Sequence, residues 1–381
     1  ENSFSKNLMS DTDKLQQNLF NEFKSRTKEN HISTPAFQKG YYYYSQIKKG
    51  DNYRKYYRKI KLNDKPQLIL DCMKLSKNLE FFDLGDYEIS PDNKSLLYCI
   101  DTDGNEKYEL YIRNIKTGKI KRELNLEIEP DFVWGYDSNS FFYVIADDSK
   151  RPYQIWKHVI GSDEKDDILM YEELDVLFNV GISKTNDDKY IIIMSNSSST
   201  TECYYIRDDK IYLIQKRTKG HQYSIEHHNG YFYILTNKDK STNFKIMRTS
   251  VSQTNKNKWI NYIPYNQNIY ITELHTFEQF LVIECKIDGQ YAIKIIDFEN
   301  KNTKIIKYDE VCNIYLDSSL NLEFNTNEII YTYSSLITPP IIYKYNMKTS
   351  EQQIIRKYEY KNYNPDLYKS ERILIDIETK L

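Results

Sequence analysis

The feature that most constrains this chain is a strand-and-turn unit that repeats at intervals of roughly 45 residues. Apolar or aromatic residues begin the seven units near Tyr41, Tyr87, Phe132, Phe178, Tyr223, Tyr270 and Ile314. A single meander of this kind cannot cover both of its faces, so the units must pack against one another. We predict an all-β, seven-bladed β-propeller with a short amino-terminal helical segment. A set of β-sandwiches with evenly spaced strands is the alternative, but one shared period favours radial closure.

The plan of the unit is clearest in residues 87–119. Residues 90–94 contain the Pro and Asn of a tight turn, and residues 96–100 form a short apolar strand. After a second turn, residues 108–115 supply another strand, and a fourth is expected at about residues 119–124. Four antiparallel strands joined by short turns are the expected content of one blade.

Composition excludes several classes of function. Lys and Arg number 53 against 55 Asp and Glu, so the formal net charge of −2 provides no basic field for nucleic acid. No apolar run reaches the length of a membrane span, so we expect no membrane partner. The chain is rich in Tyr, which favours strands and buries a large ring. Its five cysteines are odd in number and scattered through strand-like segments, which predicts buried thiols in the reducing cytoplasm.

The two ends of the chain differ from the repeats. An amphipathic helix is expected from Asp11 to Thr27, where Leu15, Leu19 and Phe23 recur at helical spacing. We therefore divide the chain into a helical segment and linker, a propeller, and a link to a following domain, at residues 1–39, 40–360 and 361–381. In the last of these, Arg372 to Ile377 begins a further strand pattern.

Catalytic motifs are missing from the sequence. No two of the 11 glycines are spaced to frame a nucleophile elbow, a dinucleotide-binding loop or a P-loop. None of the six histidines is followed by Glu, and no cysteine pair has zinc-ligand spacing. We therefore predict no catalytic, cofactor-binding or metal-binding residue in this chain.

Three other features have both an ordinary and a functional interpretation. Residues 101–106, DTDGNE, resemble a calcium loop, but the Gly falls one position early, so a β-turn is favoured. His227 and His228 are adjacent on a strand and point to opposite faces, which argues against a shared metal. Arg151, on a loop before a strand, either contacts a partner or is simply solvated.

Several stretches, in order along the chain, carry a resemblance to a known family. They are Gly40–Tyr44, Glu88–Asp92, Arg151–His158, Gly161, Tyr171–Glu173, Tyr223–His227, Tyr231–Asn237, Tyr333–Pro339 and Tyr368–Arg372. Together they make the chain similar to the amino-terminal propeller region of the oligopeptidase B branch of the prolyl oligopeptidase family of serine peptidases. The resemblance implies a propeller that excludes folded proteins from the active site of a peptidase cleaving short peptides after Lys or Arg. It also implies first and last blades that share no strand.

In that family the Ser, Asp and His of the catalytic triad, and the carboxylates that select Lys or Arg, belong to an α/β-hydrolase domain. The resemblance therefore assigns no catalytic residue here, and it implies such a domain of the same protein as the partner. Arg151, Glu371 and Arg372 are the expected interdomain contacts. The Trp and the Asp-Gly turn expected just after Arg372 are not present in residues 373–381. We expect this chain to be a fragment of a longer peptidase. The alternatives are a split or decayed gene, and a free-standing propeller used as a binding scaffold.

Overall fold

Seven antiparallel sheets form a ring in the computed structural model, which describes residues 1–375. Each sheet is one blade, and consecutive blades are adjacent. Blade one contains β1 His31–Ile32, β2 Ala36–Gln38, β3 Tyr41–Ile47, β4 Lys55–Lys59 and β5 Gln67–Asp71; blade two contains β6 Asp83–Ile89, β7 Ser95–Asp101, β8 Tyr108–Asn114 and β9 Ile120–Ile128; blade three contains β10 Phe132–Trp134, β11 Ser140–Ala146, β12 Pro152–Val159 and β13 Ile168–Glu172.

The remaining four blades follow the same four-strand plan. Blade four contains β14 Asn179–Lys184, β15 Ile191–Asn196, β16 Thr201–Arg207 and β17 Lys210–Gln215; blade five contains β18 Tyr223–His228, β19 Tyr231–Thr236, β20 Lys245–Ser250 and β21 Ile260–Ile263; blade six contains β22 Ile269–Thr276, β23 Phe280–Ile287, β24 Gln290–Asp297 and β25 Thr303–Ile306; blade seven contains β26 Cys312–Leu316, β27 Glu328–Ser335, β28 Ile341–Asn346 and β29 Gln352–Lys357. The predicted seven-bladed propeller is confirmed.

The start of blade one differs from the prediction. Strands β1 and β2 both pair with β3, so the segment expected to be a linker supplies the first strand, and Tyr41 begins the second. Pro35 lies between β1 and β2. Because proline lacks an N–H group, it interrupts the strand. The two remaining pieces are too short to be recognised from the periodicity of the sequence. The other six predicted starts fall inside, or directly next to, the first strands of their blades.

Helices lie before the ring. They are α1 Asn2–Leu8, which was not predicted, and α2 Asp13–Arg26, which agrees with the helix predicted from Asp11 to Thr27. A one-turn helix, α3 Cys72–Leu75, follows blade one. No residue of α1 or α2 is buried. Residues 372–375 form no strand, and the rest of the predicted strand to Ile377 lies outside the described residues.

The first strand of each blade lines the central channel. Lys184 on β14 lies 3.3 Å from Glu88 on β6, although blades two and four are not neighbours in the ring. Strand direction alternates within each blade. The loops between blades, the loops between second and third strands, and the segments that precede β1 and follow β29 as far as residue 375 therefore lie at one end of the ring. We call this end the terminal face. The opposite end, formed by the turns after the first and third strands, is the turn face.

Six apolar clusters join consecutive blades, one for each pair from blades one and two to blades six and seven. Among residues 1–375 none of these clusters joins blade seven to blade one, and no strand is shared between them. At this seam the two blades border a groove of roughly 700 Å³ that includes Thr34, Tyr42, Glu323, Ile354 and Arg356. The ring is therefore unlatched, as expected.

Candidate functional site

The loop between blades three and four, residues 173–178, is held rigidly on the terminal face. Arg151 lies beneath it and forms an ion pair of 2.9 Å with Asp147. The other end of its guanidinium donates hydrogen bonds to the backbone carbonyls of Glu173 and Phe178, at 3.3 and 3.1 Å. One partly buried side chain thus fixes both ends of the loop.

A second arginine holds the same loop from the side of blade four. Arg217 forms ion pairs with the buried carboxylates of Glu173 and Glu202, and its distance to Glu202 is 2.9 Å. Its guanidinium also stacks on the ring of Phe178. Burial alone would raise the pKa of Glu173, but the hydrogen bonds from Arg217 and Ser195 lower it to about 2. Glu173 is therefore ionised at neutral pH, and the loop is pinned by a charged cluster.

The tip of this fixed loop is apolar and open to solvent. Leu174, Val176 and Leu177 are 81%, 73% and 75% exposed. Elsewhere on the terminal face, Leu336 on the loop after β27 and one side of α2 are also exposed. Rigid, exposed aliphatic groups on one end of a molecule are typical of a surface that docks against another domain. The α2 side chains concerned are Leu15, Leu19, Phe20 and Phe23.

The three predicted interdomain contacts all lie on this face, but they are not alike. Arg151 faces inward, and its guanidinium donates hydrogen bonds to backbone carbonyls of the loop at residues 173–178. Arg372 donates a hydrogen bond of 2.6 Å to the carbonyl of Asp288, on the loop after β23. Glu371 is exposed and pairs with Lys369. The structure does not bring the three together, and their interdomain role stays a prediction.

The channel wall carries the other concentration of ionisable groups. Glu88 accepts a hydrogen bond of 2.8 Å from the backbone N–H of Trp134 and pairs with Lys184. Glu226 on β18 accepts one of 3.1 Å from the N–H of Asn186. Burial raises the pKa of Glu226 to about 7, because few groups near it stabilise the charged form.

Blade six contributes a mixed cluster of two carboxylates and an imidazole. Nε2 of His275 lies 3.0 Å from Oε1 of Glu284 and 3.5 Å from Oε2 of Glu273. Burial lowers the pKa of His275, but hydrogen bonds with the two carboxylates outweigh this and raise it to about 9. This cluster was not predicted from the sequence, because Glu284 joins the other two residues only through strand pairing.

The remaining sequence candidates have ordinary roles. Asp101 accepts hydrogen bonds from the N–H groups of Asp103, Gly104 and Glu106, so the loop is a turn, as favoured. His227 pairs with Asp187 at 2.6 Å, and His228 stacks on Phe298. The two histidines therefore have separate partners, as their opposite directions on the strand predict.

The fold defines a seven-bladed propeller with one exposed apolar end, and comparison with known proteins places it in a family. Residues 1–358 match the family described as prolyl oligopeptidase, N-terminal beta-propeller domain. This chain belongs to the prolyl oligopeptidase family through that domain. The family expected from the sequence is confirmed.

Two curated relatives cover nearly all of the chain. It is 27% identical to dipeptidyl aminopeptidase BI of Pseudoxanthomonas mexicana over 98% of this chain and 54% of that protein. It is 27% identical to protease 2 of Moraxella lacunata over 93% of this chain and 52% of that protein. The chain therefore spans about half the length of the curated relatives it matches.

Solved structures show the same fold. Oligopeptidase B from Leishmania major matches with a TM-score of 0.89 at 22% identity, over 97% of this chain and 54% of that one. Oligopeptidase B from Trypanosoma brucei matches with a TM-score of 0.86 at 24% identity, over 96% and 54%. Within residues 1–375 no helix has the length and apolar character needed to cross a membrane.

Proposed function

We propose that this chain is the substrate-filtering propeller of a serine peptidase that cleaves short peptides after Lys or Arg. The catalytic triad would lie in an α/β-hydrolase domain of the same protein, docked on the terminal face. The observation that carries this proposal is the exposed aliphatic tip of the loop at residues 173–178, which two partly buried arginines, Arg151 and Arg217, hold in place.

A docked domain explains why that surface is both apolar and rigid. An exposed aliphatic side chain gains about 1.5–3 kcal/mol when it is fully buried, so three on one loop supply a useful docking energy. A loop already ordered by Arg151 and Arg217 loses little further conformational freedom on docking. Coverage of about half of each relative supports a second domain of similar size.

Contacts at the turn face support the filtering role, because polar groups cross the axis there. Nζ of Lys39, on the first turn of blade one, pairs with Asp188 of blade four at 2.8 Å. The backbone N–H of Lys39 donates to Glu323 of blade seven at 3.2 Å, and its carbonyl accepts from Asn93 of blade two at 3.0 Å. Four blades are thus tied together around the axis, which narrows the route through the channel.

Two further parts of the proposal concern the compartment and the substrate specificity. All five cysteines lie within the described residues as free thiols, four of them buried, which fits a reducing compartment such as the cytoplasm. Cleavage after Lys or Arg is proposed from the likeness to oligopeptidase B alone.

The decisive experiment compares the product of the complete gene with this chain. We expect the complete protein to cleave a short peptide after Arg, to spare a folded protein with exposed Arg residues, and to react with a serine-directed phosphonate. The chain of 381 residues should do none of these. Hydrolysis by this chain, blocked by the phosphonate at a residue within it, would contradict the proposal.

Docking is tested in the complete protein with paired substitutions. Val176→Asp with Leu177→Asp places two charges on the loop tip, and we expect a fall of about tenfold or more in kcat/KM for the short peptide. Ile260→Asp, at an exposed position on β21, is the matched control and should leave kcat/KM unchanged. Equal effects of the two changes would argue against docking here. A complete gene that encodes no nucleophile elbow would favour the scaffold alternative.

A further inference from the structure

On blade six, two glutamates oppose each other across neighbouring strands. Glu273 on β22 and Glu284 on β23 are direct cross-strand partners, and the register shifts by one residue just before Glu273. Like charges directly opposite each other destabilise a strand pair, and a bulge often re-aims a side chain toward a site. The sheet therefore presents two carboxylates to one point, where a positive charge, on an imidazolium or on a bound ion, stabilises the pair.

His275 lies at that same point. It is two residues after Glu273, so both side chains project from the same face of β22. One oxygen from each carboxylate and one imidazole nitrogen all lie within 4.8 Å of one another. Zinc-to-ligand distances of about 2.0–2.2 Å place neighbouring ligand atoms roughly 3–4 Å apart, so only a small side-chain adjustment is needed.

The wall of the channel is open at this cluster. The side chain of Glu273 is 62% exposed, whereas those of His275 and Glu284 are 19% and 10% exposed. An ion can therefore reach the cluster from the channel and retain water on the open side. The two less exposed ligands are already oriented by their hydrogen bond.

We propose that Glu273, His275 and Glu284 form a binding site for a divalent transition-metal ion, with zinc as the representative. The ion would lie between β22 and β23 and neutralise the opposed carboxylates. One imidazole with two carboxylates suits zinc-like ions, whereas calcium takes six to eight oxygen ligands and magnesium usually keeps several waters. We expect zinc or cobalt to bind and calcium or magnesium not to compete.

The binding experiment uses the 381-residue chain with Cys312→Ser, because Cys312 is the one cysteine that is not fully buried. Titration with Zn²⁺ should show one site, and saturating Zn²⁺ should raise the Tm. Titration with Co²⁺ should give absorption bands of nitrogen and oxygen ligation without a thiolate charge-transfer band. Neither Ca²⁺ nor Mg²⁺ should displace the bound ion.

Variants assign the ligands. Glu273→Gln changes an exposed side chain and should leave the fold intact while lowering Zn²⁺ affinity on the order of tenfold or more. His275→Gln and Glu284→Gln should abolish the cobalt spectrum. His31→Gln is the matched control, because its ring nitrogens lie 3.4 and 3.5 Å from Arg54 and Arg356 and cannot hold a cation.

Two results would overturn the proposal. One is the absence of saturable Zn²⁺ binding at millimolar concentration, which would leave the cluster as an ion pair between imidazolium and carboxylates. The other is an unchanged Zn²⁺ affinity in Glu273→Gln and His275→Gln, which would place the ion elsewhere. Both variants can be checked for a native far-ultraviolet spectrum, so that loss of binding is not mistaken for loss of the fold.

Discussion

Two junctions of blade seven join it to its neighbours through different interactions. One is the interface with blade six, and the other is the seam with blade one. The first buries a continuous cluster that includes Phe277, Val282, Ile329 and Tyr331. The second relies on polar contacts, such as Arg356 donating to the carbonyl of Ile32, beside the groove described above. One junction excludes water, and the other admits it.

This difference indicates where the ring is strong. Burial of apolar surface contributes about 25 cal/mol per Å² without requiring a particular direction, whereas a solvent-accessible hydrogen bond contributes about 0.5–1.5 kcal/mol net. Six junctions of the first kind therefore supply most of the stability, and the seam supplies little. The seam is the place where opening the ring costs least.

The largest effect is expected inside an apolar junction. Tyr331 is completely buried, stacks on Tyr343 and shares a hydrogen bond of 2.8 Å with Tyr308. Tyr331→Ala leaves a cavity and an unpaired hydroxyl, so we expect a loss of about 3–5 kcal/mol in the free energy of unfolding, measured with urea. Tyr315→Ala, at an exposed position of the same blade, should cost below about 1 kcal/mol. Equal losses would show that burial does not set the difference.

A smaller effect, which depends on pH, is expected from Glu226 at the channel wall. Its pKa of about 7 in the folded protein exceeds the unfolded value of about 4.3. The folded state therefore holds this proton more tightly, and the resulting stability is present in full below about pH 4.3 and lost as pH rises to about 7. Glu226→Gln removes this pH dependence. At pH 8 the free energy of unfolding of the variant should exceed that of the wild type by about 2 kcal/mol, which is less than the full pKa shift implies because the side chain is not fully buried.

The measurement is urea unfolding of both proteins at pH 5 and pH 8. The stability difference between variant and wild type should grow with pH across that interval. A difference that is the same at both pH values would show that Glu226 titrates normally.

The seam should give a local effect of about 1 kcal/mol. Arg356→Met removes the hydrogen bond that crosses the seam to the carbonyl of Ile32 but keeps the backbone pairing of β29 with β28. We expect a small loss of global stability together with faster amide exchange in β1, β2 and β29. Exchange in β27, inside an apolar junction, serves as the internal control. If all strands exchange faster by the same factor, the seam is coupled to the whole ring and the contrast drawn above is wrong.

The smallest effect on stability is expected at the loop tip. Val176→Lys with Leu177→Lys changes exposed side chains, so the free energy of unfolding should stay within about 0.5 kcal/mol of the wild type. Self-association and binding of a hydrophobic dye should both fall, since the exposed apolar area decreases. Ile260→Lys on β21 is the control, and it should lower self-association and dye binding less than the double substitution does. A monomeric wild type that binds no dye would remove this support for a docking surface.

Periodicity made much of the fold predictable. The starts near Tyr87, Phe132, Tyr223 and Ile314 lie within first strands, because turn residues at regular spacing separate short apolar runs. The first blade was misjudged because Pro35 divides its first strand into two short pieces. Such pieces are recognisable only by their pairing with β3, which a linear pattern does not contain.

The candidate sites were less predictable, because they depend on contacts between distant residues. Arg151 was noticed as a loop residue, but its role under the loop at residues 173–178 requires the fold. The cluster of Glu273, His275 and Glu284 depends on a register set by a bulge. Burial by neighbouring blades, which raises the pKa of Glu226, leaves no local signature in the sequence.

The unlatched seam also bears on how the chain folds. Every blade is a meander of adjacent strands and each apolar junction joins consecutive blades, so an emerging chain can add blades in order as an open arc. The contact between Lys39 and Glu323, which are 284 positions apart, then forms last. Closing so long a loop costs only about 0.6 kcal/mol for each doubling of its length, so a few polar contacts suffice. Closure of the ring is thereby a separate step from formation of the apolar core. In an incomplete arc no edge strand has to stay unpaired until a later part of the chain supplies its partner strand.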